Sequence, residues 1–237
     1  MTFTVSHATV NAMHSQADDR LLRIAWGVDV APSRGPRARF TLDDVAGAAS
    51  GLADAGGLAS TSLSRVAAEL GLTTTALYRY VDSKDSLIEL MTDFAVGPAP
   101  VLESGDWHTD ARAWVDELHD RYTRHPWLAE VQVAGLPRYP NRLGWIETLL
   151  EVLQGGGLAD AMHVALLLES LARAFAAIVP GDDSGAAAPS PWLAGAIADR
   201  FPRLSRELGR DLADVGDELA RAVDTVLSGA TLSRPRG

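Results

Sequence analysis

Apolar residues recur at intervals of three and four along almost the whole chain, and this period constrains the fold more than any other feature. Sustained alternation of Val, Ile, Tyr and Thr is absent, as are the Asn-Gly and Asp-Gly dipeptides that close hairpins. Alanine and leucine, both good helix formers, fill the periodic segments. The chain therefore reads as all-α. Its 237 residues suffice for one large domain or two small ones. Hydrophobic residues at 47% and charged ones at 22% exclude a wholly disordered chain. The lack of cysteine excludes disulfides, thiol nucleophiles and cysteine zinc sites, and suits a reducing cytosol. Residues 1–17 have neither a basic start nor an apolar run, so no secretory signal is expected. The most apolar stretch, Leu158 to Val179, carries Asp160, His163, Glu169 and Arg173, which argues for a buried helix over a membrane span. A cytoplasmic protein without membrane association is the expectation.

Caps and breakers divide the chain. Thr41 is an N-cap with Asp43 and Asp44 in the first turn, and Gly56-Gly57 closes that helix. Ser62 caps a short helix with Leu63, Val66, Ala67 and Leu70 inward, and Gly71 stops it. Thr73 starts a second short helix, Thr74 to Tyr80, with Leu77 inward; Ser83 caps a longer one that ends near Gly97-Pro98. Beyond it, helices are expected at 107–124, 126–136, 140–154, 158–179, 191–207 and 211–228, separated by Pro- and Gly-bearing breaks. Three units follow: a flexible N-terminal extension and basic arm at 1–40, a helix-turn-helix domain at 41–97, and a helical domain at 98–237.

Net charge is −10, so a uniformly cationic surface is excluded, yet its distribution is uneven. Residues 1–40 carry a net +2, 41–97 a net −5 and 98–237 a net −7. Ser33 to Phe40 holds three arginines and no acid beside Pro and Gly, the composition of an extended basic arm.

Two short helices joined by Glu69-Leu70-Gly71-Leu72 match a helix-turn-helix. Ala67 is small where the helices cross, Gly71 suits a positive φ, and Leu70, Leu72 and Leu77 pin the pair to the preceding helix. Thr73, Thr74, Thr75, Tyr78, Arg79 and Tyr80 then face outward, where hydroxyls and aromatics can bond phosphates and reach base edges in a major groove. Lys84, the only lysine, stands at the start of the next helix, where its ammonium and the nearby N–H groups form a phosphate clamp. The acids at 41–97 can be placed off such an interface: Asp43 and Asp44 at a helix start, Asp54 near a helix end, Glu89 and Asp93 late in the fourth helix.

The stretch Phe40 to Phe94 resembles the DNA-binding domain of the TetR/AcrR family of bacterial transcriptional regulators. Ala53 to Leu58, Arg65 to Leu72, Ala76 to Val81 and Lys84 to Leu87 carry the resemblance, most specifically in Leu-Tyr-Arg-Tyr-Val-x-x-Lys. Trp26-Gly27, Arg34-Gly35-Pro36, His125-Pro126-Trp127-Leu128 and Pro140-Asn141-Arg142-Leu143 are similar to the subgroup with a tetracycline-repressor-like C-terminal domain. Ala76 and Ser64 depart from the family pattern and remove potential DNA contacts. The resemblance implies a homodimer on a double-stranded operator, with contacts from Thr73, Thr75, Tyr78, Tyr80 and Lys84, a backbone contact from Arg65, and Arg34, Arg37 and Arg39 in a neighbouring minor groove or on phosphates.

It also implies that 98–237 binds a ligand and dimerises. Leu158 to Val179 is apolar nearly all round and, with the helix at 211–228, is a candidate dimer interface. Trp107, Trp114, Trp127, Trp145, Met162 and Phe175 are candidates to line a pocket for a small apolar or aromatic ligand, or else to fill the core. His119, His125 and His163 lack metal-ligand spacing; neither a metal nor a cofactor is expected, and no nucleotide-binding or hydrolase motif points to an enzyme. The expected function is a repressor released by a small molecule. The alternative is a helical small-molecule-binding or interaction protein of the same architecture that has lost DNA binding.

Overall fold

Five consecutive helix starts, from Thr41 to Asp106, coincide with a side-chain acceptor. The computed structural model describes residues 20–28, 39–132, 135–178, 190–208 and 215–232. Helix α1 covers 20–25. Helix α2 (Leu42–Gly56) opens with a capping box in which Thr41 and Asp44 satisfy each other's backbone N–H. Ser62 caps α3 (Leu63–Glu69), Thr73 caps α4 (Thr74–Leu77), and Ser83 caps α5 (Lys84–Val96). Asp106 caps α6 (Trp107–Arg124). Helix α7 (Pro140–Gly155) instead begins on proline, whose missing N–H costs nothing in a first turn. The chain continues with α8 (Ala161–Ala176), α9 (Pro191–Arg200), α10 (Pro202–Leu208) and α11 (Val215–Leu232). No strand occurs among the described residues, and no helix among them is long and apolar enough to cross a membrane.

A head is built from α2 to α5. Val45, Ala46 and Ala49 of α2 meet Val66, Leu77, Leu87 and Met91, all fully buried. The body packs α6 against α8, with α7 and α11 beside them. Val115, Leu149, Leu153, Leu168 and Leu227 fill its core, and an Arg112–Asp224 ion pair ties α6 to α11. Helix α8 is two-sided: Val164, Leu168 and Ala172 face the core, while Met162, Leu166 and Leu167 are exposed.

Several expectations change. Residues 20–25, assigned by sequence to the flexible extension, are helical, and Leu21 is 2% exposed. The helix expected at 126–136 is a 3₁₀ turn, Pro126–Glu130, after which Val131 is extended. Arg173 donates to Ala129 O within this turn and to Val131 O just after it. The helix expected at 191–207 is divided at Phe201-Pro202 because proline clashes with a continuing helix. Thr74 to Tyr80 is α-helical only to Leu77 and continues as turn.

Candidate nucleic-acid interface

Helices α3 and α4 meet through a turn that the local sequence dictates. Gly71 takes φ +64°, donates to Ala68 O at 3.0 Å, and leaves Leu72 N to reach Ala67 O at 2.7 Å. This is a Schellman ending, which a residue with a Cβ would enter only under strain. Val66, Ala67 and Leu77 are buried in the core, so the orientation of α4 is fixed by its inward side. Its other side is open. Thr73, Thr75 and Arg79 are exposed, and Tyr78 is half exposed.

The hydroxyl oxygen of Thr73 accepts from Ala76 N at 3.2 Å, which leaves its proton to donate to a phosphate. Tyr80 is partly buried against the core. Lys84 is exposed at the first position of α5, beside N–H groups that have no carbonyl partner within the helix. Ser83 accepts from Ser86 N at 3.0 Å and closes part of that turn. Arg65 is exposed but donates through Nη1 to Ser60 O at 3.0 Å, so its guanidinium is braced against the preceding turn. Arg39 lies over the Phe40 ring at 5.3 Å. Arg34 and Arg37 lie outside the described residues.

Three of the acids placed off this surface, Asp54, Glu89 and Asp93, prove to be joints between head and body. Asp54 Oδ1 receives His125 Nδ1 at 2.8 Å and Trp127 Nε1 at 2.7 Å. Glu89 pairs with Arg138 at 2.6 Å. Asp93 caps α7, accepting from Arg142 N at 2.8 Å and Asn141 N at 3.3 Å, while Asn141 Nδ2 donates back to Asp93 O. Burial raises the Asp93 carboxyl above its usual range, against the lowering effect of those N–H groups. Trp145 Nε1 donates to Gly97 O at 2.9 Å. Sequence reading missed these contacts, although His125-Pro126-Trp127 and Pro140-Asn141-Arg142 were visible as blocks.

The six candidate pocket residues are dispersed. Trp114, Trp127 and Trp145 are each at most 2% exposed with their ring N–H groups bonded, and Trp114 stacks edge-on against Trp145 at 5.5 Å. Trp107 packs against Gly156, Phe175 against the body core, and Met162 is exposed on α8. Two clefts lie at the head–body junction instead. One, of about 920 Å³, runs between Leu21, Ile24, Phe40, Tyr80, Phe94 and Tyr139. The other, of about 670 Å³, lies between α5 and the segment leading to α7. None of the six residues lines either. Among the described residues, no cluster of His, Asp or Glu could hold a metal ion.

A compact helix-turn-helix head on a separate helical body is the arrangement of a DNA-reading regulator. The sequence profile described as "Bacterial regulatory proteins, tetR family" matches residues 40–91, and that described as "Tetracyclin repressor-like, C-terminal domain" matches 99–208. The chain belongs to the tetR family of bacterial regulatory proteins. It is 39% identical over 152 residues to the HTH-type transcriptional repressor DrrR1 of Streptomyces coeruleorubidus, a match covering 63% of this chain and 56% of that protein. The matching region thus spans about half the length of the curated relatives. Among solved structures, ActR of Streptomyces coelicolor in complex with (S)-DNPA superimposes with a TM-score of 0.70 at 25% identity, over 83% of this chain and 100% of that one. ActR in complex with actinorhodin gives 0.66 at 25% identity, over 82% and 98%.

Proposed function

We propose that the protein is a homodimeric, sequence-specific transcriptional repressor, released from DNA by a small apolar or aromatic ligand and acting in the cytoplasm without catalysis. The observation that carries this reading is the division of α4: Leu77 is fully buried while its neighbour Tyr78 is half exposed beside open threonines. A helix held from beneath and presenting hydroxyls and one aromatic ring is shaped to enter a major groove. Thr75 and Tyr78 reach base edges, Thr73 and Lys84 bond phosphates, and Tyr80 and Arg65 contact the backbone at the margins. Arg34, Arg37 and Arg39 reach a neighbouring minor groove or phosphates.

The exposed apolar side of α8, with Met162, Leu166 and Leu167, supports dimerisation there, together with α11. Two reading helices in one dimer meet half-sites about 34–36 Å apart. A ligand bound in the body relieves repression by favouring a head separation that no longer fits. That ActR is solved with actinorhodin and with (S)-DNPA supports a small-molecule site in a body of this shape.

Selection from random duplex DNA by the purified full chain at low salt tests the reading. An enriched palindrome with half-site centres about one helical turn apart is expected. No enrichment would instead favour the ligand-binding protein without DNA recognition.

A further inference from the structure

The three acidic joints between head and body lie on two helices. Glu89 and Asp93 are on α5, which ends at Val96, where the chain turns at Gly97 (φ +67°) toward the body. A head held along α5 alone keeps one soft motion, rotation about that helix. Asp54 supplies a contact away from the axis, on the last turns of α2. One of its oxygens receives two ring N–H groups, His125 Nδ1 at 2.8 Å and Trp127 Nε1 at 2.7 Å.

Both donors come from the segment that ends α6, and neither is free to wander. Trp127 is 1% exposed, and the His125 and Trp127 rings meet edge-on at 6.2 Å. On the other side, the same end of α2 is tied to the reading pair. Ser60 Oγ donates to Leu52 O at 2.6 Å, and Arg65 of α3 donates to Ser60 O at 3.0 Å. The route from body to α3 is therefore a short run of directed hydrogen bonds through one turn of α2.

We infer that Asp54 is a positioning residue for operator recognition: held by His125 and Trp127, it sets the rotation of α3 and α4 relative to the body. In a dimer this fixes the separation and relative twist of the two reading helices. The inference rests on the proposed DNA-reading function and names the contact that gives that reading its geometry.

Spacing discrimination tests it. Affinity is measured for the palindrome that the wild-type protein selects, and for the same palindrome with one base pair inserted or removed between the half-sites. One base pair shifts a half-site by about 3.4 Å and turns it by about a tenth of a helical turn. Fixed heads discriminate against both changes, by on the order of tenfold; heads free to rotate do not. Asp54→Ala is expected to narrow the discrimination to within about threefold, with low-salt affinity for unrelated duplex retained and a native circular dichroism spectrum.

Asp54→Asn, which keeps an oxygen in the same place, is expected to restore the discrimination. His125→Ala removes one of the two donors, leaves the Trp127 contact, and is expected to give an intermediate loss; it carries the test if Asp54→Ala folds poorly. Wild-type discrimination retained in Asp54→Ala, or affinity lost equally on all three duplexes, overturns the inference while leaving DNA recognition standing. A wild-type protein with no spacing preference overturns both.

Discussion

Leu77 and Tyr78 are adjacent in sequence and opposite in role. The first is fully buried and anchors α4; the second is half exposed and available to DNA. Tyr80 lies between these extremes, partly buried against the core. Tyr78→Ala is therefore expected to lower operator affinity at unchanged melting temperature, and Tyr80→Ala to lower both. Calorimetry and equilibrium titration on the same samples separate the two. The contact proposed for Lys84 is of a different kind, because a phosphate carries no sequence information. Lys84→Ala should weaken binding to operator and unrelated duplex alike and reduce the slope of log K against log salt by about 0.9. Titration at four salt concentrations reads that slope, and an unchanged value would remove Lys84 from the phosphate contacts.

At the scale of the element, the helices that sequence placed well are those whose ends are written locally. Helix α6 runs from Trp107 to Arg124, as expected, because Asp106 caps it and His125-Pro126 prevents its continuation. Elements misjudged by sequence had weaker or overlooked signals. The end of α1 is a Schellman motif in which Gly27, at φ +66°, follows Trp26 and Val28 N reaches Arg23 O at 2.8 Å. That glycine was legible, but the Pro- and Arg-rich residues after it suggested an unstructured arm. The roles of Asp54, Glu89 and Asp93 were not legible, since a joint depends on which donors the body brings up, and nothing local encodes that.

Trp107 shows the same limit. Its sequence allows a pocket or a core aromatic; it packs on Gly156, where a Cβ would stand 2.5 Å from Cδ2 of the indole ring. Gly156→Ala should therefore force the ring aside and destabilise the protein by about 1–3 kcal/mol. Gly144, inside α7, has nothing within 4 Å of a built Cβ, and Gly144→Ala should stabilise by about 0.5–1 kcal/mol. Opposite shifts in melting temperature are the expected outcome; a stabilising Gly156→Ala would contradict the packing.

For the whole molecule, a net charge of −10 opposes binding to a polyanion, and the architecture resolves the conflict by position. Three head acids, Asp54, Glu89 and Asp93, are turned to the body, away from Thr75 and Tyr78. One head offers few cations, so useful affinity requires two heads on one operator, and the dimer must hold. The exposed apolar side of α8 is the surface that suits this: Met162, Leu166 and Leu167 are each at least 41% exposed on a helix whose other side is core. Placing a guanidinium at the centre of that face buries an unpaired charge in a dimer and costs nothing in a monomer. Leu166→Arg is thus expected to yield a folded monomer at micromolar concentration by sedimentation velocity. Because the second head then no longer binds as part of the same molecule, operator affinity should fall by about 10²-fold or more. Retention of both the dimer and full affinity in Leu166→Arg would mean that the two copies meet elsewhere.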